Sequence, residues 1–588
     1  TTANSTNNVS FNHAILEYGG GANIGIVDIN GGNPQFDNCI FRYSANYGIH
    51  HTANTTSALA QNCSFQNNSG YPLYWNASQV HRLGSGNSFA GNNPNRILLR
   101  AVQINNSETW INQGVPLEAE SGIIVRANGN EPLVMSPGIQ LLFRPEHLME
   151  IGYTSSDVFS ASLYADGVTF GAVNPALGWK GIDFQYYTEP STLTNCTIRD
   201  VNSAAQAGIW IRGISHLTLQ NCLFDNIDTY ALRCVSSSPF SLSGSTISNC
   251  VHTVQIYARD LASLGAGNQY LNNTDNRIHC LGGAINSSST WTTQPIPILV
   301  TVNITGFGVQ APITVIPEGT VVEFAAGVSY SVGHVISGYG GILQATGVTF
   351  RGSETTPGHW VGLILNRYGG PHTLSGCTIS DAGYGSSPGL HIACPGSTIS
   401  DCNISNCAVT GISVTGSAAT PVLQRNFISN NQIGIICSTG ANPLIGGSAA
   451  DANSITGNSL YGVQNTFAST ILNAEWNWWG AATGPYHPSL NPGGGGNAVS
   501  DYVDFNPWLP QDIELPAPDT VSIQVVESDI LLNWEEVPGA ATYTVYYSSS
   551  ADSGFSLLQD GIQTGQYLHA GGASGPRGFY FVTAQETQ

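Results

Sequence analysis

Asn195-Cys196-Thr197-Ile198 returns as Asn221-Cys222-Leu223-Phe224, and the same short phrase stands elsewhere as Asn38-Cys39-Ile40, Asn62-Cys63-Ser64-Phe65, Asn249-Cys250, Gly376-Cys377-Thr378-Ile379 and Asp401-Cys402-Asn403-Ile404. The cysteines are separated by steps of 24 (39 to 63), 26 (196 to 222), 28 (222 to 250) and 25 (377 to 402). Between them lie short β-branched runs, Tyr47-Gly48-Ile49, Ala207-Gly208-Ile209, Thr410-Gly411-Ile412 and Ile433-Gly434-Ile435, bounded by Asn, Ser and Gly. Strand-sized apolar runs with turn residues at a fixed interval of this length describe a solenoid, one coil per step.

The composition follows from that geometry. Coils of a parallel β-solenoid stack about 4.8 Å apart, so one position repeated up the stack brings like side chains together and like charges repel. Only 9% of the 588 residues are charged, and 68 are Gly. Asn can link amide to amide along the stack, while Cys, Ile, Val and Phe fill a narrow interior. The 12 Cys are therefore read as buried ladder residues, with no Cys-x-x-Cys pair to suggest metal. No metal ion or cofactor is called for. The balance of 16 basic against 37 acidic residues, −21 in all, excludes a nucleic-acid partner. No apolar run approaches the roughly 20 residues that would cross a bilayer.

A larger repeat encloses the coils. A shift of 181 residues lays Gly86-Asn87-Ser88-Phe89 on Gly267-Asn268-Gln269-Tyr270, Asn95-Arg96-Ile97 on Asn276-Arg277-Ile278, Trp110 on Trp291, and Trp179-Lys180-Gly181-Ile182 on Trp360-Val361-Gly362-Leu363. The expected organisation is β-helix coils at 1–109, matching only the second half of a repeat block, full blocks at 110–290 and 291–475, a cap at 476–510, a Pro-rich linker at 511–518, and a small β-sandwich at 519–588. Opening in mid-repeat is expected of a processed chain, and an open first coil offers an edge for head-to-tail self-assembly.

On these phrases the sequence resembles bacterial secreted right-handed parallel β-helix repeat proteins of the pectin-lyase-like group, from residue 1 to about residue 510. The closing motif is the most specific part of the likeness. Trp476-Asn477-Trp478-Trp479-Gly480, Gly484-Pro485-Tyr486-His487-Pro488 and Val503-Asp504-Phe505-Asn506-Pro507-Trp508 look like the C-terminal cap of such proteins. Trp476, Trp478, Trp479, Gly480, Pro485, His487, Pro488, Asp504 and Trp508 are thus expected to cover the apolar end of the solenoid. Beyond the linker, alternating strands resemble a fibronectin type III domain. The resemblance implies that Trp534 is its buried strand tryptophan and that Tyr580-Phe581-Val582-Thr583-Ala584 surrounds its tyrosine corner.

The pectin-lyase-like likeness implies polysaccharide lyases or glycoside hydrolases, whose catalytic sets are specific. Hydrolysis needs two opposed carboxylates. Asn273-Thr274-Asp275 stands without the Asp-Asp and Gly-His-Gly partners that galacturonan hydrolases of this fold carry, and is expected to be an ordinary turn. A calcium-dependent lyase needs clustered Asp beside a basic residue. The single lysine, Lys180, falls on Val361 in the repeat and is expected to be an outward, tolerated residue. Glu118 and Glu120, with Arg126 near, are expected on a solvated strand edge. No complete lyase or hydrolase constellation is found, and no catalytic residue is assigned.

The candidate ligand face lies on the middle coils. If Ile209, Ile211, Leu232, Val254 and Ile256 point inward, alternation turns Trp210, Arg212, Arg233, Tyr257 and Arg259 outward together. Three guanidinium groups need anions, supplied either by nearby aspartates or by an acidic sugar stacked among the aromatic rings. The expected function is a non-catalytic extracellular or cell-surface structural or adhesion protein, with filament assembly included. The alternatives are a lyase or hydrolase of the pectin-lyase-like fold and an acidic-glycan-binding protein. The expected partners are another copy of the chain or cell-surface glycans.

Overall fold

The computed structural model describes residues 9–585 apart from 54–56, 101–102, 129–131, 153–158, 187, 203–205, 214–215, 237–238, 514–517, 519, 538–539, 541, 552–553 and 575–576. Part of the expected linker, 514–517, thus lies outside the described residues. The chain is all-β, a parallel solenoid of about 18 turns with antiparallel strands at its C-terminus. It forms two compact units, one of residues 1–281 with 294–298 and one of residues 282–293 with 299–588.

Within the first unit each coil gives one strand to each of three sheets. Thr197–Val201, Ala207–Ile211 and Leu217–Gln220 make one coil. Leu223–Ile227, Tyr230–Cys234 and Phe240–Ser243 make the next, and all three pairings are parallel. The second unit repeats the plan, as in Thr378–Ser380, Pro388–Ile392 and Thr398–Ser400 beneath Asn403–Ser405, Thr410–Thr415 and Val422–Gln424.

The Asn-Cys phrase turns a corner. Asn38, Asn62, Asn195, Asn221 and Asn249 all have left-handed backbones, with φ between 53° and 54°. Asn tolerates that conformation better than other residues with a side chain, and Gly376 (φ 62°) takes the same corner at no steric cost. The bend sends the next side chain inward, and all 12 cysteines, those within strands included, are free and buried. The signature asparagines themselves remain at the rim, where Asn62 and Asn195 donate to Asp37 and Asp166 at 3.0 and 2.9 Å.

The internal amide ladder is built by other asparagines, standing above the cysteines in the same column. Cys377 is followed one coil on by Cys402, then Asn426, Asn453 and Asn477. Each buried amide Nδ2 donates to the next Oδ1 at 2.9 Å. A parallel column runs Cys407, Asn431, Asn458, Asn497. This register revises one coil step, because the residue above Cys222 is Ser245, whose hydroxyl accepts from the Cys222 N–H at 3.0 Å, and Cys250 belongs to a different column.

The 181-residue duplication is repeated in side-chain detail. Phe143 stacks on Trp179 with ring centres 4.5 Å apart, and Phe324 on Trp360 at 4.2 Å. The two indoles donate to the carbonyls of Arg199 and Ser380 at 2.8 and 2.7 Å. Asn87 and Asn268 each donate to a glutamine one coil on, Gln113 and Gln294.

The cap residues close the second unit. Leu472–Asn473 pairs with Val503–Asp504, and Pro485–Tyr486 with Gly496–Ala498. Trp479 and His487 are buried, and His487 Nε2 lies 3.2 Å from Asp501. Trp478 bridges to Ser454, Gly480 (φ 92°) turns the chain after Trp479, and Pro488 continues the turn in which the Ser489 N–H donates to His487 Nδ1. Trp476 is the exposed member, and Trp508 lies directly against the backbone of Gly484.

The C-terminal strands form two three-stranded antiparallel sheets, Val521–Val526, Asp529–Trp534 and Gln566–His569 in one, Ser556–Ile562, Thr542–Ser548 and Phe579–Gln585 in the other. Trp534 packs with Ile530, Leu532, Val537, Tyr543, Val545 and Val582. The tyrosine hydroxyl that binds backbone is that of Tyr543, which accepts from the Val537 N–H at 2.7 Å, whereas Tyr580 meets His569 Nδ1 at 2.7 Å. No helix among the described residues is long and apolar enough to cross a membrane.

Candidate functional site

Six successive strands of the first unit, β1 (Met149–Ile151), β2 (Ile182–Phe184), β3 (Ala207–Ile211), β4 (Tyr230–Cys234), β5 (His252–Ile256) and β6 (Ile278–Cys280), stack in one parallel sheet. Ile182, Ile209, Leu232 and Val254 occupy the interior, and none is more than 1% exposed. The outward position between them reads, coil by coil, Glu150, Asp183, Trp210, Arg233, Gln255, His279. One polar column therefore passes from acidic through aromatic and basic to imidazole.

Arg212 and Arg233 share the indole of Trp210, with guanidinium carbons 3.6 and 4.6 Å from its ring centre. The two cations differ in their anions. Arg212 Nε donates to Asp183 at 3.0 Å, and Glu150 is held by Arg126. Burial pushes the Asp183 carboxyl up to about 6 in spite of Arg212. Arg233 forms no ion pair with any described residue, and its buried Nε, like Trp210 Nε1, has no hydrogen-bond partner.

Tyr257 and Arg259 do not join this group. The strand ends at Ile256, and Ala258–Ser263 is a 3₁₀ turn, so outward alternation stops before Arg259. Arg259 instead covers Tyr257, 4.9 Å from its ring centre, with Asp260 at 3.7 Å. Lys180 is outward and pairs with Glu146 at 2.9 Å.

A second cluster borders the column. Tyr230 and His252 stack with centres 4.6 Å apart on neighbouring coils, and Asp275 follows His252 one coil on. Asp275 Oδ2 lies 2.8 Å from His279 Nε2, while Arg277 Nε donates to Oδ1 at 2.7 Å. Tyr230 Oη is 3.0 Å from His279 Nδ1. Burial alone would raise the Asp275 carboxyl, but the hydrogen bonds from Arg277 and His279 together hold it below the usual range. Burial lowers His279 against the pull of Asp275, which keeps the imidazole neutral at neutral pH.

Residues 176–290 and 332–477 match the family described as right handed beta helix region. The chain is a right-handed parallel β-helix repeat protein. No curated protein and no solved structure matches it.

Two features of this β-helix escaped the sequence reading. The cluster around Asp275 was hidden because its members sit on three coils, and its trace was positional: Tyr230 and His252, or Gln255 and His279, lie one coil apart. The other is an aromatic patch on the first coils, where His50 stacks on Tyr47 with centres 5.0 Å apart and packs tilted against Tyr74 at 4.9 Å. There Tyr74 donates to Glu120 at 2.8 Å and Tyr71 to Glu118 at 2.9 Å. Glu118 is not on a solvated edge. It is buried, with Arg144 at 2.9 Å and Arg96 at 3.4 Å, because its carboxylate closes a network of two cations and a phenol.

Chemically, the column around Trp210 can bind a planar anion. A ring that already carries stacked guanidinium groups presents N–H donors around an apolar face, the combination a uronate or sulfated sugar requires. The carboxylates nearest it, Glu150 and Asp183, are each engaged by an arginine.

Proposed function

We propose that this β-helix protein is a non-catalytic extracellular adhesion or structural protein that binds acidic glycans through the face centred on Trp210 and Arg233. The observation that carries the reading is Arg233, a cation stacked 4.6 Å from Trp210 and left without an anion among the described residues. Its neighbour Arg212 is neutralised by Asp183, so the ring, the Arg212 edge and the Arg233 donors form one platform with a net positive centre. On a chain of net charge −21 such a spot is the place for a carboxylate or sulfate, because elsewhere a polyanion is repelled. A fibronectin type III-like C-terminal module suits the same role as a spacer that presents the solenoid.

Binding to polygalacturonate, alginate and chondroitin sulfate, followed by calorimetry at low and physiological salt, tests the proposal. We expect saturable binding that weakens with salt and falls at least tenfold in Arg233→Ala, with polymer length unchanged. Equal binding by the variant, or no binding to any acidic polymer, overturns it. Shortened or unsaturated polymer would instead favour the lyase or hydrolase reading.

A further inference from the structure

The cluster beside the glycan face holds two imidazoles and a carboxylate that the proposed binding does not use. We propose that His252, Asp275 and His279 form a site for a single divalent transition-metal ion of the zinc type. The donor atoms of the three residues all lie within 4.8 Å of one another. Two imidazoles with one carboxylate are the donor set that zinc, cobalt, nickel and copper accept, while magnesium and calcium prefer oxygen alone.

The decisive detail is His252. Its Nδ1 is buried and has no hydrogen-bond partner among the described residues, and it lies 3.8 Å from Asp275 Oδ2. That is too far for a hydrogen bond. It is close to the spacing of two ligands on one tetrahedral ion, roughly 3.4 Å apart when each lies about 2.1 Å from the metal. Of the other two pairs, the imidazole nitrogens of His252 and His279 lie within 4.8 Å, and His279 Nε2 and Asp275 Oδ2 at 2.8 Å must open by about 0.6 Å, which the partly exposed side chains permit.

The surroundings are those of a supported site. Arg277 grips both oxygens of Asp275, Nε donating to Oδ1 at 2.7 Å and Nη2 to Oδ2 at 3.1 Å, and so fixes the carboxylate with Oδ2 also beside the two rings. Tyr230 Oη at 3.0 Å from His279 Nδ1 anchors that imidazole on its far side. On metal binding the ring proton moves from Nε2 to Nδ1 and is donated to the Tyr230 oxygen, the outer hydrogen bond that ligating histidines usually make. The stacking of Tyr230 on His252 orients the second ring. Three protein ligands leave a fourth position open. Because His279 stands in the same column as Gln255 and Arg233, a ligand carboxylate could fill it, but the site as proposed needs no glycan.

The test uses the tag-free chain, stripped with chelator and titrated with Zn²⁺ against a chromophoric competitor, and with Co²⁺ followed by its visible absorption. We expect one saturable site, tetrahedral Co²⁺ bands displaced by Zn²⁺, and no competition from Mg²⁺ or Ca²⁺. His252→Gln and His279→Gln should each weaken Zn²⁺ at least tenfold, and Tyr230→Phe, which leaves all three ligands in place, by about 10- to 100-fold. His216→Gln, an exposed histidine outside the cluster, should change nothing. Absence of saturable binding in the stripped chain, or binding unchanged in the folded double variant His252→Gln/His279→Gln, overturns the proposal. Glycan binding measured in chelator separates a failure here from a failure of the Arg233 platform.

Discussion

Asn453 is the middle of the best-developed amide ladder, and its replacement by Ala is a test of how the solenoid is held together. The side chain makes four hydrogen bonds. Its Oδ1 accepts from the Asn426 N–H and from Asn426 Nδ2, both at 2.9 Å, and its Nδ2 donates to the Leu423 carbonyl and to Asn477 Oδ1, also at 2.9 Å. Most of the partners have a second bond to fall back on. Asn426 Nδ2 keeps the Ile399 carbonyl, the Leu423 carbonyl keeps the Gly446 N–H, and Asn477 Oδ1 keeps the Asn453 N–H. The Asn426 N–H has none, and a stranded buried donor costs about 1–3 kcal/mol. Adding about 0.5–1.5 kcal/mol for each of the three other lost bonds gives a local destabilisation of about 2.5–7.5 kcal/mol for Asn453→Ala. Exposed Asn442→Ala should stay within about 0.5 kcal/mol. Because repeat arrays open locally, the assay is native-state hydrogen exchange read on the strands Val422–Gln424, Phe427–Ser429 and Ser454–Thr456 rather than a single melting curve. Protection in these strands within about 1 kcal/mol of the wild type would refute the ladder as a source of stability.

Three further outcomes are expected. Asp183 is pushed up to about 6 by burial from an unfolded value of about 3.9, and the groups facing it are Arg212, Glu150 and Gln185. The folded state thus binds its proton more tightly, and the resulting stability is present below about pH 4 and lost as pH rises through about 6. Asp183→Asn has no such loss, so its stability relative to wild type should climb by about 2–3 kcal/mol between pH 4 and 6 and then level off, and a flat difference in denaturant midpoints would count against the buried carboxylate. Burial pushes the thiols of Cys250, Cys407 and Cys437 up to about 12, so alkylation at pH 8 should leave these residues unlabelled in the folded chain, and mass spectrometry showing their rapid labelling would contradict the sealed interior. Gly484 has φ 77°, and a side chain there would meet the Trp508 ring at 2.4 Å, so Gly484→Ala should lower the stability of the cap by about 1–3 kcal/mol, measured by exchange over 496–508.

The fold was legible because a solenoid repeats its constraints. A left-handed corner and an inward thiol are required on coil after coil, so Asn-Cys recurs in the sequence as a visible period. The same logic explains what was misread. Spacing alone cannot tell a column from its neighbour when coil lengths vary, and Cys250 was placed with Cys222 although Ser245 holds that position. Nor does a period reveal which asparagines are interior. Asn62 and Asn426 are both coil residues, yet one turns a corner at the rim and the other carries the ladder inside.

Site residues obey a different rule, since function breaks the repeat instead of conforming to it. Trp210 and Arg233 could be found by alternation, because each sits within a regular strand whose inner residues are plain. Alternation failed at Arg259, where a 3₁₀ turn begins two residues after the strand. It was blind to the cluster of His252, Asp275 and His279, because His252 lies on one coil and Asp275 and His279 on the next. In a parallel β-helix the chemistry of a face is written across the coils, at one-coil intervals, and the neighbours of Trp210 are Asp183 and Arg233 rather than Ile209 and Ile211. Reading the column Glu150, Asp183, Trp210, Arg233, Gln255, His279 as though it were a continuous segment shows at once what the linear order conceals: the departure of charge from a chain otherwise selected against it. Ladder packing penalises charge wherever like repeats on like, so a column in which every coil carries a different polar residue escapes the penalty, and it is on such columns that binding chemistry can be placed without weakening the stack.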